Sequence, residues 1–341
     1  MKAQTVRKPI LFILLATVLV SMPFYASPYT ITTFIRIFYF GLLSLSVGML
    51  IGQLGVVSMA QTAFFAMGAY VLGLIGFERG FPSPWADMIG IIFTLAIAFL
   101  FGMISMRTRD MVFMMITLAF GQVLWSLGTQ NTSLLHGWLG IVGIRPHTIF
   151  GIDFNIQRNF YWASLLIFII CLALYWILIH TPFGLALNGV RDNPRRMASL
   201  GYPVYWLKVV FFVISAFFAS LGGIMMFYNT GIISPSAMHM SRTSWILLCV
   251  ILGGANYFWG PVIGTTIAVW FEVLVSQITM RYNTIIGIVF VLVVLFNQSG
   301  ILNIANSWWK RKNRSAAGSH PENGGEADHR RGPEYNLGGG V

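Results

Sequence analysis

Of 341 residues, 57% are hydrophobic, 15% aromatic and only 9% charged, far below the roughly 25% charged of a soluble domain, so the chain reads as one that lives in a bilayer. Its 21 Lys and Arg against 10 Asp and Glu would suggest nucleic acid in a soluble protein, but cytoplasmic loops collect Lys and Arg in any polytopic membrane protein, and no nucleic-acid partner is implied. Cys171 and Cys249 both fall in apolar runs, which excludes a disulfide framework and a Cys-rich metal site.

A helix crossing about 30 Å of hydrocarbon needs roughly 20 mostly apolar residues, because backbone groups left unpaired in lipid cost several kcal/mol each. In chain order the predicted spans are 10–27, 35–52, 58–77, 86–105, 111–129, 160–180, 207–229, 243–257, 260–280 and 283–302. This makes an all-α membrane protein of about ten transmembrane helices, several broken by Gly. The first span has a second reading as a cleaved signal peptide, with a basic start and small residues near Ala26 and Ser27. The weakest is 243–257, short and ending in Gly253, Gly254 and Asn256; without it the side-to-side parity fails at the basic tail.

Alternating sides from an inner start places Lys2, Arg7, Lys8, Arg107, Arg109, Arg191, Arg195, Arg196, Lys208, Lys310, Arg311, Lys312, Arg314, Arg330 and Arg331 inside. Arg36, Arg79, Arg145, Arg158, Arg242 and Arg281 fall outside. The bias predicts both termini in the cytoplasm. Residues 1–309 form the transmembrane domain, with an outer loop at 130–159. Residues 310–341 are polar, Gly-rich and charged without apolar periodicity, which predicts a disordered cytoplasmic tail.

Two Gly-interrupted stretches occupy roughly corresponding places in the two halves. One carries Gly52, Gln53, Gly55, Ser58, Gln61 and Thr62 and runs on to Gly68 and Tyr70; the other runs from Gly253, Gly254, Asn256 and Tyr257 to Gly260, Pro261 and Gly264. In transporters, broken helices at membrane depth mark the substrate pathway, since irregular backbone is tolerated only where protein or water satisfies it. Tight packing explains the same glycines: Ser44, Gly48 and Gly52, and again Gly260 and Gly264, have the small-xxx-small spacing that lets helices approach. Both readings stand, and Gln53, Ser58, Gln61, Thr62, Asn256 and Tyr257 are the candidate pathway residues. Glu272 joins them as the one acid inside an apolar run, where a charge is expensive and therefore a functional candidate. Its place about nine residues before Arg281 also suits a structural role near the outer surface.

Segment 181–206 leaves the membrane with explicit punctuation. Asn193 suits an N-cap, Pro194 the first helical position and Gly201 a left-handed stop, with Pro203 just beyond, so a helix of about two turns is predicted at 194–200. Met197 and Leu200 make a small apolar edge while Arg191, Arg195 and Arg196 present charge. The segment is either a basic loop resting on anionic lipid headgroups or a docking surface for a cytoplasmic partner.

Missing chemistry narrows the function. No Lys follows a Gly, so the chain has no G-x-x-x-x-G-K-[ST] phosphate loop with which to hydrolyse ATP. His136, His147, His180 and His239 form no i, i+4 pair, which argues against a metal site, and a G-x-S-x-G nucleophile elbow is also missing.

Five stretches, taken in order, resemble the permease subunits of bacterial ATP-binding-cassette importers for branched-chain amino acids, of the LivM type, over roughly residues 40–302. They are Ser58 to Tyr70, ending Phe64-Phe65-Ala66-Met67-Gly68-Ala69-Tyr70; Ile116-Thr117-Leu118-Ala119-Phe120; Pro182-Phe183-Gly184 to Gly201; Ile233-Ser234-Pro235; and Leu252-Gly253-Gly254 through Gly260-Pro261 to Gly264. The resemblance implies a pore-forming subunit in the bacterial inner membrane, without a cofactor. Its implied partners are a second permease subunit, two ATP-binding subunits and an extracytoplasmic substrate-binding protein, and its implied cargo is Leu, Ile and Val. It also implies that Gly184, Arg191, Asp192, Asn193, Pro194, Arg195, Arg196 and Gly201 belong to a coupling segment seated in a groove of an ATPase subunit.

Two stretches depart from the family's pattern. His136-Gly137-Trp138-Leu139-Gly140-Ile141 stands where a Thr-Gly-Gly-rich turn is usual, at the expected contact with a binding protein, and Phe296-Asn297-Gln298-Ser299-Gly300 stands where Arg-Pro-Gln-Gly is usual. Related permeases carry urea, short amides or aromatic acids. Two other classes remain: an ion-coupled transporter working alone through Glu272, and a membrane enzyme, for which no paired acids or His cluster share a face.

Overall fold

Ser27 opens the first long helix by accepting a hydrogen bond from the Thr30 amide, with Pro28 at a position whose missing N–H has no partner to lose. The structure, a computed structural model, describes residues 21–278 apart from 26, 79, 83, 109 and 144–155, together with 284, 287 and 288. Helix α1, Pro28–Met49, continues through a π-helical turn, Leu50–Leu54, and stops at Gly55, whose φ of +70° a residue with a Cβ rarely adopts. A non-helical stretch follows, then α2, Gln61–Leu72, which ends in a second π-helical turn, Gly73–Glu78.

Three long apolar helices come next: α3, Trp85–Ser105; α4, Asp110–Gln130; and α5, Gln157–His180. Two short helices, α6 (Pro182–Asp192) and α7 (Pro194–Ser199), lead into the 27-residue α8, Val204–Thr230. Helix α9, Met240–Gly253, and helix α10, Gly260–Ile278, complete the order.

Burial separates core from periphery. Of the apolar window of α1, 83% is buried within the chain, against 22% for α4 and 28% for α3 and α5, so α1 forms the axis and the other three turn most of their apolar surface outward, as lipid-facing helices do. The core is aromatic and aliphatic: Phe64, Phe65, Phe211, Phe212, Leu42 and Leu43 are fully buried. Gly223 lets α8 rest on the backbone of α2 at Phe65, where a Cβ would collide with the Phe65 carbonyl.

Eight of the ten predicted spans match described helices, six of them long enough to cross a membrane and two shorter. The first and last expected spans, 10–27 and 283–302, lie largely outside the described residues, as do the tail 310–341 and Phe296 to Gly300. A count of ten is therefore not established. The eighth span, expected at 243–257, is observed as α9 at Met240–Gly253, 14 residues or about 21 Å at 1.5 Å per residue. Its boundary moves because Gly254 takes a φ of +96° and the turn that follows sends α10 back along α9.

The outer-loop segment 130–159 carries a feature that sequence patterning did not announce. Ile141 and Val142 pair antiparallel with Ile233 and Ile232 beyond the end of α8, and two residues are too few to show a strand period.

Candidate translocation site

At the Leu54 end of α1, the two Gly-rich breaks meet the linker between α5 and α8. Thr181 and Pro182 turn the chain out of α5 into α6. Gly184 is buried in that turn, where a Cβ would stand 2.5 Å from the Ile179 carbonyl oxygen. Asn193 separates α6 from α7 and caps α7, its side-chain oxygen accepting from the Arg196 amide at 3.0 Å. Gly201 stops α7 at a φ of +86°. The predicted punctuation of 181–206 is thus the observed one, with α7 ending at Ser199.

No residue of α7 is buried, and Asp192, Arg195 and Arg196 are exposed. An open groove of about 390 Å³ separates α7 from the turn after α3, lined by Arg107, Arg195, Lys208 and Tyr205 among others.

Arg191, the penultimate residue of α6, reaches back to both breaks. Its Nη1 donates to the Gly52 carbonyl, one of the acceptors that a helix end leaves without an intrahelical partner. Its Nη2 donates to Asn256 Oδ1 at 3.1 Å, in the turn between α9 and α10 that also holds Tyr257. The breaks touch each other as well: a Cβ on Gly52 would lie 2.7 Å from the Ala255 carbonyl oxygen, and one on Gly48 would collide with the Pro261 ring. Gln53 Oε1 is buried without a partner, and Tyr175 on α5 stacks on Phe258 at 5.0 Å. Tight packing, one of the two readings of these glycines, is therefore present.

The remaining candidates on the first break are each held by a different neighbour. Ser58 Oγ accepts from the Ala60 amide at 3.3 Å. Gln61 Nε2 donates to Ser215 Oγ on α8 at 3.1 Å, while its Oε1 has no partner. Thr62 pairs with Thr243 on α9 at 2.6 Å, and Thr117 on α4 accepts from the Met59 amide at 3.1 Å. These residues do not surround one shared cavity, and Gln61 and Thr62 are almost wholly buried.

Glu272 is not with them. It lies on α10 toward the Pro28 end of α1, where its Oε1 is 2.6 Å from Arg36 Nη2. Its ion-pair partner is Arg36 on α1. Sequence reading also passed over Thr243, Ser215, Thr117 and Arg242 as site residues. Hydroxyls are ordinary in apolar helices, and Arg242 read as one more outer-loop charge.

These observations define a class: a multi-pass, all-helical membrane permease whose non-spanning helices are tied to breaks in its core helices. The chain belongs to the family of branched-chain amino acid transport system permease components, whose profile matches residues 29–296. It is 25% identical to the high-affinity branched-chain amino acid transport system permease protein LivM of Escherichia coli K12, across 92% of this chain and 80% of that one. The Salmonella typhimurium LivM is 24% identical over the same shares. A probable LivM permease of Methanocaldococcus jannaschii is 22% identical across 68% of this chain and 63% of its own length. No solved structure matches. The family is one of transport components, and the chain functions as a subunit of a larger transport system.

Proposed function

We propose that the chain is one of two permease subunits of an ATP-driven importer that carries Leu, Ile and Val across the bacterial cytoplasmic membrane, with both termini in the cytoplasm. Two ATP-binding subunits supply the hydrolysis and an extracytoplasmic binding protein delivers the amino acid. Residues Gly184, Arg191, Asp192, Asn193, Pro194, Arg195, Arg196 and Gly201 form the coupling segment. Helix α7, exposed except at Met197, docks on an ATP-binding subunit, and the basic groove beside it faces the same partner and the lipid headgroups. The single observation that carries the proposal is the fork of Arg191 onto Gly52 and Asn256. A push on α6 and α7 reaches the ends of α1 and α9 through one rigid guanidinium, without crossing a flexible loop.

On this reading Gln53, Asn256 and Tyr257 move with the coupling segment, and Ser58, Gln61 and Thr62 line the path when α2, α8 and α9 separate. Glu272 already has Arg36 as a fixed counter-ion, which leaves little reason to assign it a coupling proton or cation. The test is affinity purification of the tagged chain in mild detergent, with mass spectrometry and an ATPase assay on the eluate. ATP-binding subunits and a second permease co-purify in stoichiometric amounts, and the double variant Arg191→Glu, Gly201→Val loses them. A chain that purifies alone, without ATPase activity, overturns the proposal.

A further inference from the structure

The cations at the Pro28 end are more numerous than their counter-ions. Arg36 and Arg242 both lie over the ring of Phe40, at 5.7 and 5.1 Å from its centroid, and Arg242 also lies 5.6 Å from that of Trp245. Glu272 is the acid of this cluster, and its Oε1 is bound to Arg36. Among the described residues no carboxylate comes within salt-bridge distance of Arg242.

Its depth makes that unusual. Phe40 is near the middle of the 27-residue helix Pro28–Leu54, so a guanidinium over its ring stands well inside the apolar layer. A charged side chain there is costly and rarely kept without a task. Helix α9 sharpens the case. It has 14 residues and begins beside Arg242, so the positive end of its dipole adds to the guanidinium. His239 accepts from the first-turn amides of Ser241, Arg242 and Thr243, so the free donors facing an incoming anion are those of the guanidinium. Short helices whose N-termini point at a carboxylate deep in the membrane are a recurrent device of transporters.

We infer that Arg242 is a way-station for the carboxylate of the transported amino acid. The inference rests on the importer reading and adds the group that grips the cargo within the membrane. Glu272 Oε2 is buried and out of reach of an ammonium group, so the grip is on one end of the zwitterion only. A one-ended grip suits conduction, in which binding must be strong enough to admit the solute and weak enough to release it.

The test uses the full complex, both permeases and both ATP-binding subunits, reconstituted in proteoliposomes with the binding protein and radiolabelled leucine. Arg242→Met should slow uptake at saturating binding protein about tenfold or more, with binding-protein-stimulated ATP hydrolysis kept within about twofold. Its thermal midpoint should be unchanged or higher, because the replacement removes from the apolar layer a charge that no carboxylate contacts directly. Arg242→Lys should retain a substantial part of the uptake. Uptake by Arg242→Met within about twofold of the parent overturns the inference. So does loss of assembly or a lower midpoint, which would mark Arg242 as an ion paired with the second permease. An Arg242→Lys variant as slow as Arg242→Met overturns the charge argument. Each comparison is made on complexes already shown to hydrolyse ATP, so a failure here leaves the importer reading in place.

Discussion

Arg191 joins acceptors on two different elements, and only a forked side chain can do so. Its Nη1 and Nη2 bind Gly52 O and Asn256 Oδ1, while its Cγ packs where a Cβ on Gly55 would lie 3.3 Å away. Lysine has one nitrogen on a flexible stem, so Arg191→Lys can satisfy one acceptor at a time. Arg191→Ala satisfies neither and leaves the Gly52 carbonyl without this donor. Uptake in the reconstituted complex should fall about tenfold or more for Arg191→Ala and by an intermediate factor for Arg191→Lys. The ATP-binding subunits should still co-purify with both, because the exposed α7 that docks them is unchanged. The same logic separates Arg191 from Arg195 and Arg196, which are exposed on α7: their loss should weaken retention of the ATP-binding subunits and raise its sensitivity to salt, as exposed ion pairs are screened.

At the scale of the element, α7 has six residues and only Met197 packed on its neighbours, so its shape depends largely on its ends. The Asn193 cap is worth about 1 kcal/mol. Asn193→Ala should lower retention of the ATP-binding subunits on a purification column and leave the thermal midpoint of the permease nearly unchanged, since no core contact is lost. Asn193→Asp, which can still cap, should behave as the parent. These stops were legible in the sequence because Asn-Pro and Gly-x-Pro act through local backbone geometry alone. The long spans were legible for a similar reason, since lipid demands about twenty apolar residues wherever a helix crosses. The shortness of α9 was legible in Gly253 and Gly254, but its bounds, Met240–Gly253, were not, because its end is decided by how α10 folds back on it. Nor was the pairing of Ile141 and Val142 with the chain beyond α8. For the site, the sequence pointed to the two breaks and to Arg191, but not to their contact, which exists only once α6 has folded beneath α1. Arg242 was hidden by its position beside a predicted span boundary; the shortness of α9 is what places it deep.

Across the whole molecule, α1 and α10 run antiparallel and touch along their length. Arg36 meets Glu272 toward one end. Ser44 Oγ donates to the Pro261 carbonyl at 3.1 Å and accepts from Thr265 at 2.7 Å, Gly48 admits the Pro261 ring, and Gly52 meets Ala255. A seam fixed at so many points moves as one body. Gly48→Leu forces the two helices apart and should lower the thermal midpoint, overpacking of this kind costing about 1–3 kcal/mol.

The ion pair at the other end of the seam gives a sharper test. Glu272→Gln keeps an oxygen that accepts from Arg36, so stability should fall only slightly. Glu272→Leu leaves Arg36 without its counter-ion. With side chains 29% and 14% exposed, that loss should amount to about 2 kcal/mol, less than for a fully buried pair, and should appear as a lower midpoint. Uptake by the Glu272→Gln complex should remain dependent on ATP and indifferent to a protonophore, because the carboxylate serves to hold α1 to α10. Uptake that is abolished in Glu272→Gln, and in the parent collapses with the ion gradient while ATP is present, would instead make the acid the coupling site. The seam would then be the moving joint rather than the rigid body, since a carboxylate that takes up and releases a cation in each cycle must also release Arg36.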